Sequence, residues 1–590
     1  MDTVVRDNHL LTYYWQHMET LVNLVLDIET DSKHSKIWMC YTHNSETGQY
    51  VCHTEPATLI PLINKADRLI GHNLIGFDAP VLNKLWGTKI GLKKVRDTLI
   101  MSRLLNPSIE NGHSLAAWGK RLGNNKVEYT RIWHWMKGLQ FDKKSTAPYD
   151  DPIDNLNRVY CKQDVTVTVE LYQYLDEQLE DWGESVQLEH DVAAILHKQE
   201  RHGFKFDETK GRVLLAQLSS EVADIEGELQ ATFPPIVEKR VSEKTGKVLK
   251  DKVTPFNAGS RQQIAERLAT LGVKFTQETE KGSTIINEKV LEGIELPEAK
   301  LIARYLMLQK RISQVSSWFE AVQADGRVRG RVITNGAVTG RMTHMAPNMA
   351  QVPSSSSEYG PECRELWTVD SGKRLVGTDA SGIELRMLAH YMQDVRYIKT
   401  VCEGKQEDGT DVHTMNMKAA GLTSRNQAKT FIYAFLYGAG AGKIGSIIGG
   451  SSTVGHHLME RFLRNTPALG FLKDEVVIPA SKKGWLRGLD GRHIMVRSEH
   501  AALNSLLQGA GAIIMKKALV ILHERLKRGI IQAHFVANVH DEWQKEVDEE
   551  DAERVGKMAV QAIEDAGKHF NLRCPLTGEY NVGFNWKDTH

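Results

Sequence analysis

The sequence predicts a chain of mixed α/β and α+β architecture divided into several domains, and three observations carry that prediction. Strand-like apolar runs lead into carboxylates at LDIET (26–30), RLVGTDASGIELR (374–386) and NVHDEW (538–543). After Asp379 the strand pattern of Leu375 and Val376 changes to the helical spacing of Ile383, Leu385, Leu388 and Ala389. A length of 590 residues gives room for about four domains, each with its own core.

Composition narrows the classes. Lys plus Arg total 74 and Asp plus Glu total 74, so any charged surface must come from local segregation rather than a global field. The cysteines at 40, 52, 161, 363, 402 and 574 form no CxxC pair, and no secretory signal precedes them. Reduced thiols, no zinc, no disulfide and a cytoplasmic location are the expectation. No apolar run approaches the roughly 18 residues of a membrane span, so a soluble protein without a membrane partner is expected.

Residues 1–20, with Tyr13, Tyr14 and Trp15, form an extension without an interpretable motif. Leu21 to Leu26 predicts a buried strand ending in Asp27 and Glu29, whose spacing puts both carboxylates on one face. Asp78 follows the apolar segment LIGHNLIGF. Tyr160 and Asp164 stand four apart on a predicted helix and share its face. His113, in HSLAAWGKRLG, reads as a structural histidine. Each carboxylate alone is more often a helix cap or a solvated charge.

From Glu184 a long helical pattern leads out of this region, with a domain boundary near residue 190. Phe233 to Pro255 predicts an exposed hairpin turning at Thr245 and Gly246; residues 239–252 carry six basic against two acidic side chains. A solvated hairpin and a contact to a nucleic-acid backbone fit it equally. Leu301 to Phe319 reads as an amphipathic helix ending near Lys310 and Arg311. Arg327, Arg329 and Arg331 alternate along a predicted strand, as phosphate contacts or as its solvated side, and Arg341 follows in TGR.

Thr423 or Ser424 caps a predicted helix to Tyr437, ended by Gly438, on which Arg425, Lys429 and Tyr433 share one face. Two cations and a ring so placed suit a triphosphate and a sugar. Gly440, Gly442 and Gly445 satisfy GxGxxG but follow a helix instead of a strand, so they read as a glycine-rich turn. Lys482, Lys483, Arg487, Arg492 and Arg497 punctuate a predicted strand-rich segment, and Asn504 and Gln508 share a later helix face. The acidic pair of RLVGTDASGIELR and NVHDEW suggests a two-metal site for phosphoryl transfer.

Asp27, Glu29, Asp78 and Asp164, with Tyr160 four residues before the last, resemble the DEDDy proofreading exonucleases of ribonuclease-H-like fold. DASGIELR, RNQAKTFIYAFLYGAG and VHDEW resemble family A DNA polymerases, the DNA polymerase I family. With TGRMTHMAPNMAQVP and YGPECRELW, the chain from about residue 20 is similar to the replicative members of that family found in short-tailed bacteriophages.

This resemblance implies an exonuclease domain over 21–190, then a right-hand polymerase: thumb 191–325, palm 326–410 and 501–590, fingers 411–500. It makes Asp379, Asp541 and the Ala380 backbone the polymerase metal ligands, with Glu542 close by, and Asp27, Glu29, Asp78 and Asp164 those of the exonuclease, where Tyr160 orients the attacking water. Two Mg2+ in each site are implied, with Mn2+ able to substitute. Arg425, Lys429 and His413 would hold the dNTP phosphates, Tyr433 the sugar, and Tyr437 the templating pair, while Glu384 would exclude a 2′-hydroxyl. Arg341, Gln508, Asn504 and His540 would contact DNA, and His590 would pack near the site. Primer–template DNA and dNTPs are the implied ligands, with helicase-primase and single-strand binding protein as possible replisome partners. Phe233 and Phe256 are joined by too short a segment for a thioredoxin-binding loop, so thioredoxin dependence is not expected. A repair-type polymerase or an exonuclease-dominant DNA-processing enzyme is the alternative; an RNA polymerase is disfavoured by Glu384 and the exonuclease set.

Overall fold

The computed structural model of the chain describes residues 22–241, 244, 246–275 and 284–590. The extension at 1–20 and the turn residue Thr245 lie outside the described residues.

The first unit is built on a five-stranded sheet ordered Tyr50–His53, Ile37–Asn44, Asn23–Thr30, Arg68–Gly71, Val95–Asp97. Asn23–Thr30 is central, antiparallel to Ile37–Asn44 and parallel to Arg68–Gly71. Both of its faces are covered, which is why NLVL reads as one apolar run. Leu24, Leu26 and Ile28 enter one core, whereas Val25 packs with Val165, Val167 and Leu171 of the Asp154–Gln178 helix. Alternation then turns Asp27 and Glu29 toward that same helix. The strand does not end at the carboxylates, as the sequence suggested, but runs through them to Thr30.

The second sheet is four-stranded and antiparallel, ordered Ala533–Val539, Glu542–Asp548, Lys373–Ala380, Gly578–Gly583. The Glu499–Arg528 and Ala552–His569 helices bury their apolar residues in the core that includes Val376, Trp543 and Val547. Glu499–Arg528 has the length and apolar composition of a membrane span, which the sequence reading did not anticipate; 72% of that window is buried in the core, which accounts for its composition.

Several boundaries differ from expectation. The Ser185–His202 helix runs through residue 190, because Leu188, Val192, Ile195 and Leu196 form a continuous apolar stripe against the large core. The predicted Leu301–Phe319 helix extends over Pro297–Ala321 and continues past Lys310 and Arg311, with Arg311 buried. The arginine row is not one face: Arg327–Val328 and Arg331–Ile333 are strands of different sheets. Arg327 is buried and pairs with Glu546 at 2.9 Å, and Arg329 pairs with Asp325. The GxGxxG stretch is a helix, Ala441–Ile447, instead of a turn. Its glycine at 445 lets the chain of Ser451 approach, since a Cβ there would lie 2.1 Å from the Ser451 carbonyl oxygen. The strand-rich segment reduces to one hairpin, Trp485–Arg487 with His493–Met495, and Lys482 and Lys483 end a helix before it.

A wholly buried ion cluster ties these parts together. Glu189 accepts from Arg492 at 2.6 Å, Arg492 also grips Asp490, and the Lys516 ammonium bonds both Glu189 and the Gly340 carbonyl at 2.8 Å. Burial alone would raise the Glu189 carboxyl, but Lys516 and Arg492 outweigh it and hold the carboxyl at about 2. Its contribution to stability is therefore complete above about 4.5 and is lost as pH falls toward 2. Glu189→Gln, which leaves Lys516 buried without a carboxylate and Arg492 with Asp490 alone, is expected to cost about 3–5 kcal/mol in denaturant unfolding.

Candidate functional site

Lys373–Ala380 lies between two strands, with Asp379 opposite Glu542 on one side and Glu579 on the other. A tight turn at His540, with φ of 56°, joins the neighbouring strands and presents Asp541. The Ala380 amide donates to the Asp541 carbonyl at 3.2 Å, which latches the two carboxylate-bearing segments together. Gly382, in the left-handed region at φ of 60°, turns the chain sharply into the Ile383–Met392 helix. Asp379 is exposed rather than interior: it is the one exposed residue near the end of a strand whose neighbours Thr378 and Ala380 are both buried. Its surroundings still desolvate it, and with Asp541 and Glu542 nearby its carboxyl rises to about 7. Burial, then Glu384, raises Asp541 as well.

Glu542 does not open toward these two. It is buried, and its oxygens accept from Gln544 Nε2 at 2.6 Å, from Trp586 Nε1 and from His590 Nδ1 at 3.1 Å. Burial would raise its carboxyl, but the His590 bond and charge hold it below the ordinary range. Glu542 thus anchors the C-terminal segment, which also needs Gly377: a Cβ there would lie 2.3 Å from the Thr589 carbonyl oxygen.

Above the strand end, Glu384 accepts from Arg341 Nη2 at 3.0 Å and from the Tyr437 hydroxyl at 3.4 Å. Arg341, Glu384, His540 and Asp541 line one small pocket. On the Arg425–Leu436 helix, Lys429 is exposed, and the Tyr433 ring centroid lies 6.2 Å from His413 and 6.4 Å from Tyr437. Ser424 occupies the cap position without a side-chain cap bond. Arg425 pairs with Asp411 at 2.9 Å, and His413 Nδ1 is buried without a partner among the described residues. Asn504 and Gln508 lie half-buried on the Glu499–Arg528 helix and make no side-chain hydrogen bond among the described residues.

The second cluster sits on the first sheet. Asp78 starts the Asp78–Leu85 helix, and its Oδ1 accepts from the Ile28 amide at 3.2 Å. Ligand atoms of Asp27, Glu29 and Cys161 lie within 4.8 Å of one another. Tyr160 and Asp164 share the Asp154–Gln178 helix, and the Tyr160 ring stacks on Tyr129 with centroids 5.0 Å apart. Burial followed by the Asp164 charge lifts Asp27 to about 7. Burial also lifts Glu29, Asp78 and Asp164, and Asp164 Oδ1 is buried without a partner among the described residues. Burial and the Asp27 charge push the Cys161 thiol up, so it stays neutral and the available donors are carboxylate oxygens. Crowded carboxylates suit hard divalent cations in both clusters, and in this one the orphaned Asp164 oxygen adds to the fit.

Lys126 escaped the sequence reading. Its ammonium pairs with Asp164 and donates to the Tyr160 hydroxyl at 3.1 Å. It comes from the loop GNNKVEY, which carries no periodic signal. Asp411 and Lys516 were likewise missed, although DVH beside His413 did mark the first. His113 donates or accepts with Ser102 Oγ at 2.8 Å, a structural role.

Residues 231–588 match the family described as DNA polymerase family A. The DNA-directed DNA polymerase of Enterobacteria phage T3 is 33% identical over an alignment covering 90% of this chain and 93% of its own. That of Escherichia phage T7 is 34% identical, covering 88% and 92%. The fold is shared with the POL domain of Pol1 from M. smegmatis, solved in complex with DNA primer-template and dNTP, at a TM-score of 0.77, 18% identity and 98% coverage of both chains. A mixed helix and sheet body carrying an acidic strand-end cluster is thus that of a nucleotide polymerase. The chain belongs to DNA polymerase family A, whose members use divalent metal ions.

Proposed function

We propose that the chain is a phage replicative DNA polymerase that adds dNTPs to a primer 3′-hydroxyl and edits its product with a 3′-5′ exonuclease. The observation that carries the synthetic half is the Ala380–Asp541 latch, which sets Asp379 and Asp541 side by side below the Arg425–Leu436 helix. The editing half rests on the Asp27, Glu29, Asp78 and Asp164 cluster with Tyr160 and Lys126. Length-wide similarity to the T3 and T7 polymerases supports the replicative role over repair. The residues before the Ser185–His202 helix would then form a ribonuclease-H-like exonuclease, with thumb, palm and fingers following in the order the sequence implied.

Asp379 and Asp541 would hold two Mg2+ in the synthetic site, and Asp27, Glu29, Asp78 and Asp164 two in the editing site. When bound, such ions lower the pKa of the attacking oxygen and neutralise charge on the leaving group. Arg425, Lys429 and His413 would receive the triphosphate, with Arg425 exchanging its bond to Asp411 for phosphate. Tyr433 would lie against the sugar. Arg341 and Gln508 would test the primer-terminal minor groove, where every correct pair presents acceptors.

Glu384 would choose the sugar. It is held from two sides, so its position is fixed without the nucleotide. Glu384→Ala is expected to raise ribonucleotide incorporation by about 10²-fold or more, read from alkali cleavage of extended primers, with the order of magnitude set by loss of steric and unpaired-group rejection. Unchanged discrimination would sink the gate assignment.

Lys126 would position Tyr160 and Asp164 in editing. Its charge lowers the carboxyls of Asp27, Glu29 and Asp164, so without it all three keep their protons to higher pH. Lys126→Met is therefore expected to move the acid limb of exonuclease activity, at fixed subsaturating Mg2+, to higher pH. A uniform loss of rate with an unshifted limb would show a merely structural lysine.

A further inference from the structure

Away from both acidic clusters, a cleft of about 920 Å3 opens between the Asp78–Leu85 helix of the first unit and the Ser185–His202 and Glu499–Arg528 helices. Lys84, Lys93, Lys198, Arg201 and Lys527 line it, and Asp191 and Glu524 are the carboxylates that face them. In a chain whose charges balance overall, this is marked segregation. None of the five cations makes an ion pair within 4.0 Å among the described residues, although ion pairs are formed by their neighbours His202, Lys517 and Arg525. Asp191 is occupied by Gln187 at 2.9 Å.

The cations also crowd one another. Lys198 Nζ lies 3.3 Å from His523 Nε2, and burial followed by the Lys527 charge pulls the Lys198 ammonium below its ordinary range. His197 and His534 add further ring nitrogens to the lining, while His202 is paired with Glu546. Between the cations, Ile75, Ile90, Ile195 and Val520 give an apolar floor. Spaced cations over apolar surface suit a chain of phosphates with exposed base faces better than a single compact anion.

The cleft continues toward the Asp78 side of the first acidic cluster. A second cleft of about 620 Å3 shares His197 and Arg201 with it and is also lined by Phe77 and Arg331. Phe77 immediately precedes Asp78, and Arg331 opens the strand that pairs with Thr343–Met345, where it faces Met345. Within this second cleft Arg329 is committed to Asp325, whereas Arg331 has no ion pair among the described residues, and Glu200 is the acidic group facing it.

We propose that these joined clefts bind single-stranded DNA, holding an unpaired strand by its backbone alongside the first unit. The assignment of strand chemistry goes beyond the proposed function and rests on it only for the identity of the neighbouring editing site. The binding is independent of sequence, because the lining cations address the phosphates that every strand carries.

The test uses the full chain and oligothymidylate of 16 nucleotides as the probe. Saturating oligothymidylate is expected to protect Lys84, Lys93 and Lys527 of the unaltered protein from acetylation, read by mass spectrometry. Lys84→Glu, Lys93→Glu and Lys527→Glu combined are expected to weaken oligothymidylate binding at least about tenfold. They should also flatten its salt dependence by roughly 0.7 in slope for each phosphate that is no longer neutralised. Absence of protection in the unaltered protein would overturn the proposal even if the triple variant failed to fold. So would an equal loss of affinity for blunt duplex DNA, or protection by polyglutamate but not by oligothymidylate, which would assign the clefts to an acidic protein. The proposed editing activity is read separately by Asp27→Asn, so its failure and that of the cleft are distinguishable.

Discussion

Asp541→Asn is expected to reduce primer extension by at least about 10³-fold while leaving the shortening of a labelled single strand intact. The magnitude follows from geometry. Asp541 is fixed by the Ala380 latch and a left-handed turn at His540, so no neighbour moves easily into its place. Glu542 cannot substitute, because its oxygens are bonded to Gln544, Trp586 and His590. The asparagine keeps the size and the turn, so the protein should fold and still bind primer–template. Steady-state extension with all four dNTPs measures the effect, and retention of more than a tenth of the rate would remove Asp541 from the metal-binding role.

The second large effect belongs to Asp27→Asn. Asp27 stands on the central strand between Glu29 and the Asp154–Gln178 helix, where the carboxylates crowd one another. Its loss is expected to lower release of nucleotides from a 3′ end by at least about 10³-fold, with extension of a matched primer unchanged. Neutralising one of several repelling carboxylates should not weaken the metal-free fold. The thermal midpoint of the variant is therefore expected to equal or exceed that of the unaltered protein in EDTA. A fall in extension as large as the fall in nucleotide release would contradict two separate centres.

What could be read from the chain alone was local. Asp27 with Glu29, and Tyr160 with Asp164, announce themselves because periods of two and four are visible in a few residues. The face shared by Arg425, Lys429 and Tyr433 is visible for the same reason. Asp379 and Asp541 lie on segments about 160 residues apart that the Ala380–Asp541 hydrogen bond joins; their like strand ends suggest a shared metal site, but no local period shows that the segments meet.

The errors have a common cause. Arg327 looks like a solvated strand charge, yet it is buried by Glu546, 219 residues away. Asp379 follows an apolar run and looks interior, yet it is exposed between the buried Thr378 and Ala380. Glu189 and Lys516 lie on apolar helix faces as if misplaced, until each supplies the other's counter-charge across 327 residues. Long-range charge pairing leaves no period in the sequence, and neither does Lys126, which reaches Asp164 from an irregular loop.

The central claim is that one chain holds two carboxylate centres that work independently, and mixing two damaged proteins tests it most directly. On a primer ending in a mismatch, Asp541→Asn should remove the wrong nucleotide but add none, and Asp27→Asn should extend the mismatch only slowly. An equimolar mixture of the two is predicted to yield full-length product at a rate neither reaches alone. A mixture no faster than the better single variant would contradict the account.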